Sequence, residues 1–190
     1  MDKYSNFKQL QESETEGLDY AVVVTSRKGS RVAVIAPHGG KIEPRTAELA
    51  EAIAGDEFNL YCFKGTKRKR NGDLHITSHN FDEPKCLSLL ETQDVVVALH
   101  GCDKKGEHVL LGGRDNKLIA ELVEALKAVG ISAETSGCEF TGTDAANICN
   151  RGATHAGAQF ELSMSFRKGP NGQKFVEAVR DVLKNRQNAA

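Results

Sequence analysis

The chain has 190 residues, 39% hydrophobic and 27% charged, and its 25 Lys and Arg against 26 Asp and Glu give a net charge of -1. This composition excludes a disordered chain and a strongly basic nucleic-acid binder. No apolar run approaches the roughly 18–20 residues of a bilayer span, so no membrane partner is expected.

A chain of this length is expected to form a single catalytic domain over 1–190, with 1–18 as an extended or irregular N-terminal segment. The first twenty residues, "MDKYSNFKQLQESETEGLDY", are polar and acidic and have no hydrophobic h-region. The expectation is a protein made in a cytoplasm without a Sec signal. The five cysteines, Cys62, Cys86, Cys102, Cys138 and Cys149, are odd in number and show no C-x-x-C spacing. They are expected to be reduced, partly buried thiols, with neither a disulfide framework nor a zinc ribbon.

Short β-branched runs predict strands at 20–26 (YAVVVTS), 31–37 (RVAVIAP), 59–65 (NLYCFKG), 74–78 (LHITS), 94–101 (DVVVALHG), 107–113 (EHVLLGG) and 158–163 (AQFELS). Runs such as VVVAL are apolar on both faces, as in a sheet covered by helices on both sides. Helical patterns lie between them. "EPRTAELAEAIAG" places Pro44 for a first turn and Gly55 for a C-cap, "NKLIAELVEALKAVG" ends at Gly130, and "GQKFVEAVRDVLKNRQ" is a terminal amphipathic helix. The expected fold is α/β, three-layered, with a mixed, mostly parallel sheet and helices on both faces. The basic run "KGTKRKRNG" lacks interleaved aromatics and reads as a solvated loop rather than a nucleic-acid grip.

The chemistry concentrates at strand ends. His38 closes the second strand and Glu43 opens the helix that follows, with Gly39 and Gly40 allowing a sharp turn. In open α/β sheets ligands bind outside the carboxyl ends of the strands. An imidazole and a carboxylate at one corner suit Zn²⁺, and a catalytic zinc wants a third protein ligand. "DVVVALHG" supplies it in His100, again after a β-branched run and before a glycine. A metal-activated water also needs a base, and Glu161, flanked by Phe160 and Leu162 in a strand, is the candidate.

Six stretches in order, "VAVIAPHGGKIEPRTAELAEAIAG", "LHITSHNFDEP", "VVVALHGC", "LLGGRD", "NICNRG" and "QFELSMSFR", resemble the phage-type poly-γ-glutamate hydrolase family, zinc carboxypeptidase-like enzymes. The resemblance implies one Zn²⁺ on His38, Glu43 and His100, with Glu161 as general base, cleaving γ-glutamyl amide bonds. It implies poly-γ-glutamate as the partner, a monomer, and a phage or prophage protein acting outside the host after lysis to degrade capsule. A substrate with one free carboxylate per residue calls for basic forks. Arg151 and Arg167 are the first candidates, Asn150 forms an Asn-Arg pair with Arg151, and Arg114, Lys41 and Arg45 follow. Arg45 stands where family members usually have glycine, and His79 is placed differently from the usual arrangement. The alternative reading is a zinc amidase acting on other γ-glutamyl or cell-wall peptides.

His75 and His79, followed by Asp82 and Glu83, are a rival metal site. A structural or substrate-rim role is expected for them instead. Cys102 after "HG" would need a positioned histidine to act as a nucleophile.

Overall fold

The computed structural model describes residues 2–137 and 139–189. A seven-stranded mixed sheet forms its centre, in the order β1-β3-β2-β4-β7-β5-β6. The strands are β1 (Tyr20–Thr25), β2 (Val32–Gly40), β3 (Asn59–Gly65), β4 (Val95–Cys102), β5 (Val109–Gly113), β6 (Glu134–Thr135) and β7 (Ala158–Ser163). The middle pairings β3–β2, β2–β4 and β4–β7 are parallel, whereas β1 and β5 join antiparallel.

Alternation along the strands divides the core in two. One face carries Val34, Val97, Phe160 and Leu162 against helices α2 (Thr46–Ala54), α4 (Asn116–Ala128), α5 (Met164–Lys168) and α6 (Gly172–Ala189). The other face carries Ala33, Ile35, Val96 and Ala98 against α1 (Phe7–Gln11) and α3 (Pro84–Leu90), with Ile76 and Phe81 from the connecting chain. The three-layer expectation is met because the central strands bury both of their faces.

Two expected elements differ. The LHITS run is not a strand: Asn71–Leu74 is a 3-10 turn and the chain runs irregularly beyond it. Leu74 and Ile76 are buried as expected of alternation, but their segment packs on the sheet face and joins no strand edge. The N-terminal segment is not merely irregular either, because it contains α1 and buries Tyr4, Phe7 and Leu10.

The basic loop is a solvated one whose charge is partly neutralised locally. Lys64 pairs with Glu51, Lys67 with Glu14 at 2.7 Å, and Arg70 with Asp73 at 3.0 Å. Cys62, Cys86, Cys102 and Cys149 are free and buried, and Cys138 lies outside the described residues. Burial pushes the Cys62 and Cys149 thiols up to about 12 and also raises Cys102, the opposite of what a thiolate nucleophile needs.

Arg45, at the N-cap of α2, has φ 79, in the left-handed region where a side chain is disfavoured. Its side chain is exposed. Arg45→Gly is therefore expected to stabilise the protein by about 0.5–1 kcal/mol, read as a higher midpoint in denaturant unfolding. An unchanged or lower midpoint would mean that the arginine side chain makes compensating contacts.

Candidate active site

A cleft of about 400 Å³ opens over the carboxyl-terminal parts of β2, β4 and β7, on the face that carries α1 and α3. His38, Glu43, His75, His100 and Glu161 line it together.

His38 reaches this face through a bulge. Before it, Ala36 of β2 pairs with Cys62 of β3, and after it Gly39 pairs with Lys64, so one extra residue sits on β2. Strict alternation from Ala36 would aim His38 into the helical layer of α2. The extra residue flips the pleat and turns the imidazole into the cleft. Gly39 takes the α2-facing position, where an added Cβ would lie 2.8 Å from Ala47 Cβ. Gly40 follows with φ +64 and would press a Cβ to 2.6 Å from the Gly65 carbonyl, so a side chain fits neither place.

The turn then brings Glu43 back beneath the histidine. Its backbone N–H donates to the His38 carbonyl at 2.8 Å, and its Oε2 accepts from the Gly101 N–H at 2.8 Å. The two oxygens face different rings. Oε1 lies 3.3 Å from His38 Nδ1 and 3.9 Å from His75 Nε2, while Oε2 lies 3.9 Å from His100 Nδ1. Burial raises the Glu43 carboxyl, but the charge and hydrogen bond of His38 outweigh it and hold the group at about 2.

His38 Nε2 donates to the Ile76 carbonyl at 2.8 Å, since a carbonyl can only accept. In the neutral ring that leaves Nδ1 bare, 3.1 Å from His100 Nδ1. Against the opposing effect of burial, the Glu43 charge and hydrogen bond raise the His38 imidazole, so without a cation a protonated His38 can donate from Nδ1, and His100 then carries its own proton on Nε2, 3.4 Å from the Ser78 hydroxyl. With a cation, His38 would give up its Nδ1 proton while His100 keeps its proton on Nε2 with Ser78 as acceptor, so that both Nδ1 atoms are bare. Burial lowers the His100 imidazole to about 3, with His38 adding to the effect, so the ring is neutral.

Glu161 is paired with His100 across β4 and β7. It is 7% exposed and accepts a long 3.4 Å hydrogen bond from Gln159. Among the described residues it forms no ion pair with Arg167 or Arg151. Burial, then the Glu43 charge, raise its carboxyl to about 8 against the opposing pull of His38 and Arg167.

The residues present suit a divalent cation. The two Nδ1 atoms, both bare once a cation displaces the proton between them, lie 3.1 Å apart, close to the separation of about 3.3 Å between nitrogens on a tetrahedral zinc at its usual bond length. His38, Glu43 and His75 also offer donor atoms all within 4.8 Å of one another. The rival set falls apart by contrast. Asp82 accepts from the Phe7 N–H, Glu83 caps α3, and His79 is exposed on the rim.

The expected carboxylate forks are elsewhere. Arg167 is 5% exposed and spends Nε on the Leu162 carbonyl and Nη1 on the Pro44 carbonyl. Its guanidinium packs against Gly101, behind the site, where an added Cβ would lie 2.6 Å from it. Arg151 is exposed and does not line the cleft. Arg114 borders a separate depression with Asp94, Val95 and Thr154, towards the amino end of β4. Lys41 donates to the Lys67 carbonyl, and Arg45 is likewise outside the cleft. No lysine or arginine lines the cleft among its described residues. Its polar walls are Thr77, Ser78, Thr141, Thr143, Asn147 and Gln159, with Asp144 as an acidic member.

Asn150 builds one of those walls. Its amide donates to the carbonyls of Gly142 at 2.7 Å and Asp144 at 2.8 Å, and its oxygen accepts from the Gly157 N–H at 3.1 Å. Asn150→Ala is expected to cost about 2–3 kcal/mol by orphaning these groups. Arg151→Ala should change stability by less than about 0.5 kcal/mol and leave KM unchanged. A raised KM in Arg151→Ala would restore the Asn-Arg carboxylate grip.

Strand-end histidines and a buried carboxylate beside them thus meet at one cleft of a three-layer α/β fold with a mixed sheet. The chain belongs to the poly-gamma-glutamate hydrolase family, whose model matches residues 4–182. The SPbeta prophage-derived UPF0714 protein YoqZ of Bacillus subtilis (strain 168) is 38% identical over 169 residues, 88% of this chain and 61% of YoqZ. The chain thus spans about three fifths of that relative's length. A solved bacteriophage poly-gamma-glutamate hydrolase is 29% identical with a TM-score of 0.95, and the match covers 100% of both chains. A zinc-free apo structure of YndL is 34% identical with a TM-score of 0.91, covering 98% of this chain and 99% of that one. Among the described residues no helix is long and apolar enough to cross a membrane.

Proposed function

We propose that the protein is a zinc-dependent hydrolase that cleaves the γ-glutamyl amide bonds of poly-γ-glutamate. In this reading His38, Glu43 and His100 hold one zinc ion and Glu161 is the general base. The observation that carries it is the opposed Nδ1 pair of His38 and His100 above the Glu43 carboxylate, with Glu161 strand-paired beside them. Family membership and the zinc-free form of YndL support the substrate and the metal. When bound, zinc supplies Lewis acidity, lowering the pKa of water and polarising the amide carbonyl.

The chain's own residues do the rest. Glu161, ionised, takes a proton from the attacking water and hands it to the amine nitrogen as the C–N bond breaks. Glu43 is fixed by the Gly101 N–H. Thr77, Ser78, Thr141, Thr143 and Asn147 offer hydroxyl and amide donors to the carboxylates of the polymer. The protein acts as a monomer, without nucleic acid or membrane, on polymer outside the host after release on lysis.

A second reading, a zinc amidase acting on other γ-glutamyl or cell-wall peptides, is favoured by one observation: no lysine or arginine lines the cleft among the described residues, and Asp144 adds a carboxylate to its wall. Metal analysis combined with incubation of high-molecular-weight poly-γ-glutamate, with and without a chelator, separates the two. About one zinc per chain and chelator-sensitive shortening of the polymer are expected. Zinc without shortening would move the substrate to another amide. Neither zinc nor shortening would overturn both readings.

A further inference from the structure

Three of the described histidines face the cleft closely around Glu43, and the reading above uses only two of them. The third, His75, is held from outside by the amino-terminal strap. Its Nδ1 lies 2.8 Å from Asp2 Oδ1, and a carboxylate can only accept, so the proton is on Nδ1. The bare Nε2 then faces the cleft, 3.9 Å from Glu43 Oε1. The ring lies over His38, with centroids 4.0 Å apart and planes tilted by 32°. A histidine that donates one nitrogen to a carboxylate and aims the other at a cluster of donors has the arrangement of a metal ligand with its outer partner.

Asp2 is itself fixed. Its second oxygen accepts from the Thr77 N–H and the Thr77 hydroxyl, each at 2.6 Å. The strap behind it is pinned at several points. Tyr4 donates to Glu14 at 2.7 Å, Lys67 reaches Glu14 at 2.7 Å, and the Phe7 N–H donates to Asp82 at 2.6 Å. Tyr4, Phe7 and Leu10 bury their side chains in the core of this face. A dangling terminus would not organise a ring nitrogen; this one has the anchorage to do so.

We propose that His75 is a further protein donor to the metal held by His38 and Glu43, and that Asp2 is the residue that positions it. The inference rests on the zinc reading of the site. The donors of His38, Glu43 and His75 all lie within 4.8 Å of one another, so this set can converge with modest rotation of the side chains. Catalytic zinc can take a fifth ligand, so a fourth protein donor would still leave room for water. The amino-terminal strap thereby becomes part of the metal site rather than a decoration on the fold.

The test measures zinc affinity by competition with a chromogenic chelator, and the visible absorption of the cobalt(II) form, in the parent protein and in four variants. His75→Ala should weaken zinc at least 10–100-fold and change the cobalt bands. Asp2→Ala should weaken zinc about 10-fold, while Asp2→Asn, which keeps an acceptor oxygen, should recover most of that loss. His38→Ala serves as the reference for a lost ligand. Thermal melts of the metal-free variants show whether each is folded, and if His75→Ala is not, the two Asp2 variants decide. Zinc affinity in His75→Ala or Asp2→Ala within about twofold of the parent, with His38→Ala defective, would overturn the inference and leave the zinc reading standing. A parent protein that binds no zinc would remove both.

Discussion

Glu161→Gln is expected to leave zinc binding and the fold intact while lowering turnover by about 10²–10⁴-fold, the range that positioned general bases contribute. Glutamine has nearly the same shape, and the Gln159 amide that donates to Glu161 at 3.4 Å keeps an acceptor in the variant. What is lost is the ability to take the proton of water. The same group sets a pH signature. Its carboxyl is raised from 4.5 to about 8 by burial and by the Glu43 charge. Between those values the metal-free folded protein holds a proton that the unfolded chain has released. Stability contributed by this group is therefore full below about pH 4.5 and is lost as pH rises towards 8, by an amount on the order of a few kcal/mol. Glu161→Gln should flatten that slope in denaturant melts run with a chelator at pH 5 and pH 8.5 (conditions bracketing about pH 4.5–8). Turnover runs the other way: the base must be ionised, so activity should rise with pH on the acid side. A bound dication shifts that limb down towards neutrality. A variant with parental turnover would end the assignment of Glu161 as base.

His38→Ala should abolish both metal binding and activity. Its Nδ1 is the meeting point of the site, 3.1 Å from His100 and 3.3 Å from Glu43. Removing it should weaken zinc by more than the 10–100-fold typical of an outer partner. Polymer shortening should fall to the level of the chelated parent. The variant also leaves the Ile76 carbonyl without its donor in a buried place, at a cost of about 1–3 kcal/mol. Metal analysis, polymer sizing and a melt of the chelated protein separate these effects. Retained zinc in His38→Ala would move the metal to some other set of donors.

The strands that build the sheet were legible because their β-branched runs are long enough to bury both faces. YAVVVTS, NLYCFKG and AQFELS become β1, β3 and β7 almost residue for residue. LHITS misled because alternation records burial, not pairing: its backbone bonds go to Asp2 and, through the Ser78 carbonyl, to Ile148. Helices α1, α3 and α5, of five, seven and five residues, were invisible to periodicity because they are too short to display a face. That His38, His100 and Glu161 would meet in one cleft was legible because strand ends of parallel sheets open on one side. The arginines could not be placed. Arg167 follows β7 so closely that α5 folds it behind Gly101, a direction that residue identity alone does not encode. Nor does any local signal tie His75 to Asp2, which is 73 positions away in the chain.

The anchored strap also governs how the protein should be handled at the bench. A purification handle joined ahead of Asp2 would emerge beside the cleft, next to His75 and Thr77. A polyhistidine handle there would bring competing imidazoles to the very donors whose zinc affinity is to be measured. Helix α6 ends the described chain on the opposite face of the sheet, so a handle fused after it keeps the added histidines away from the cleft.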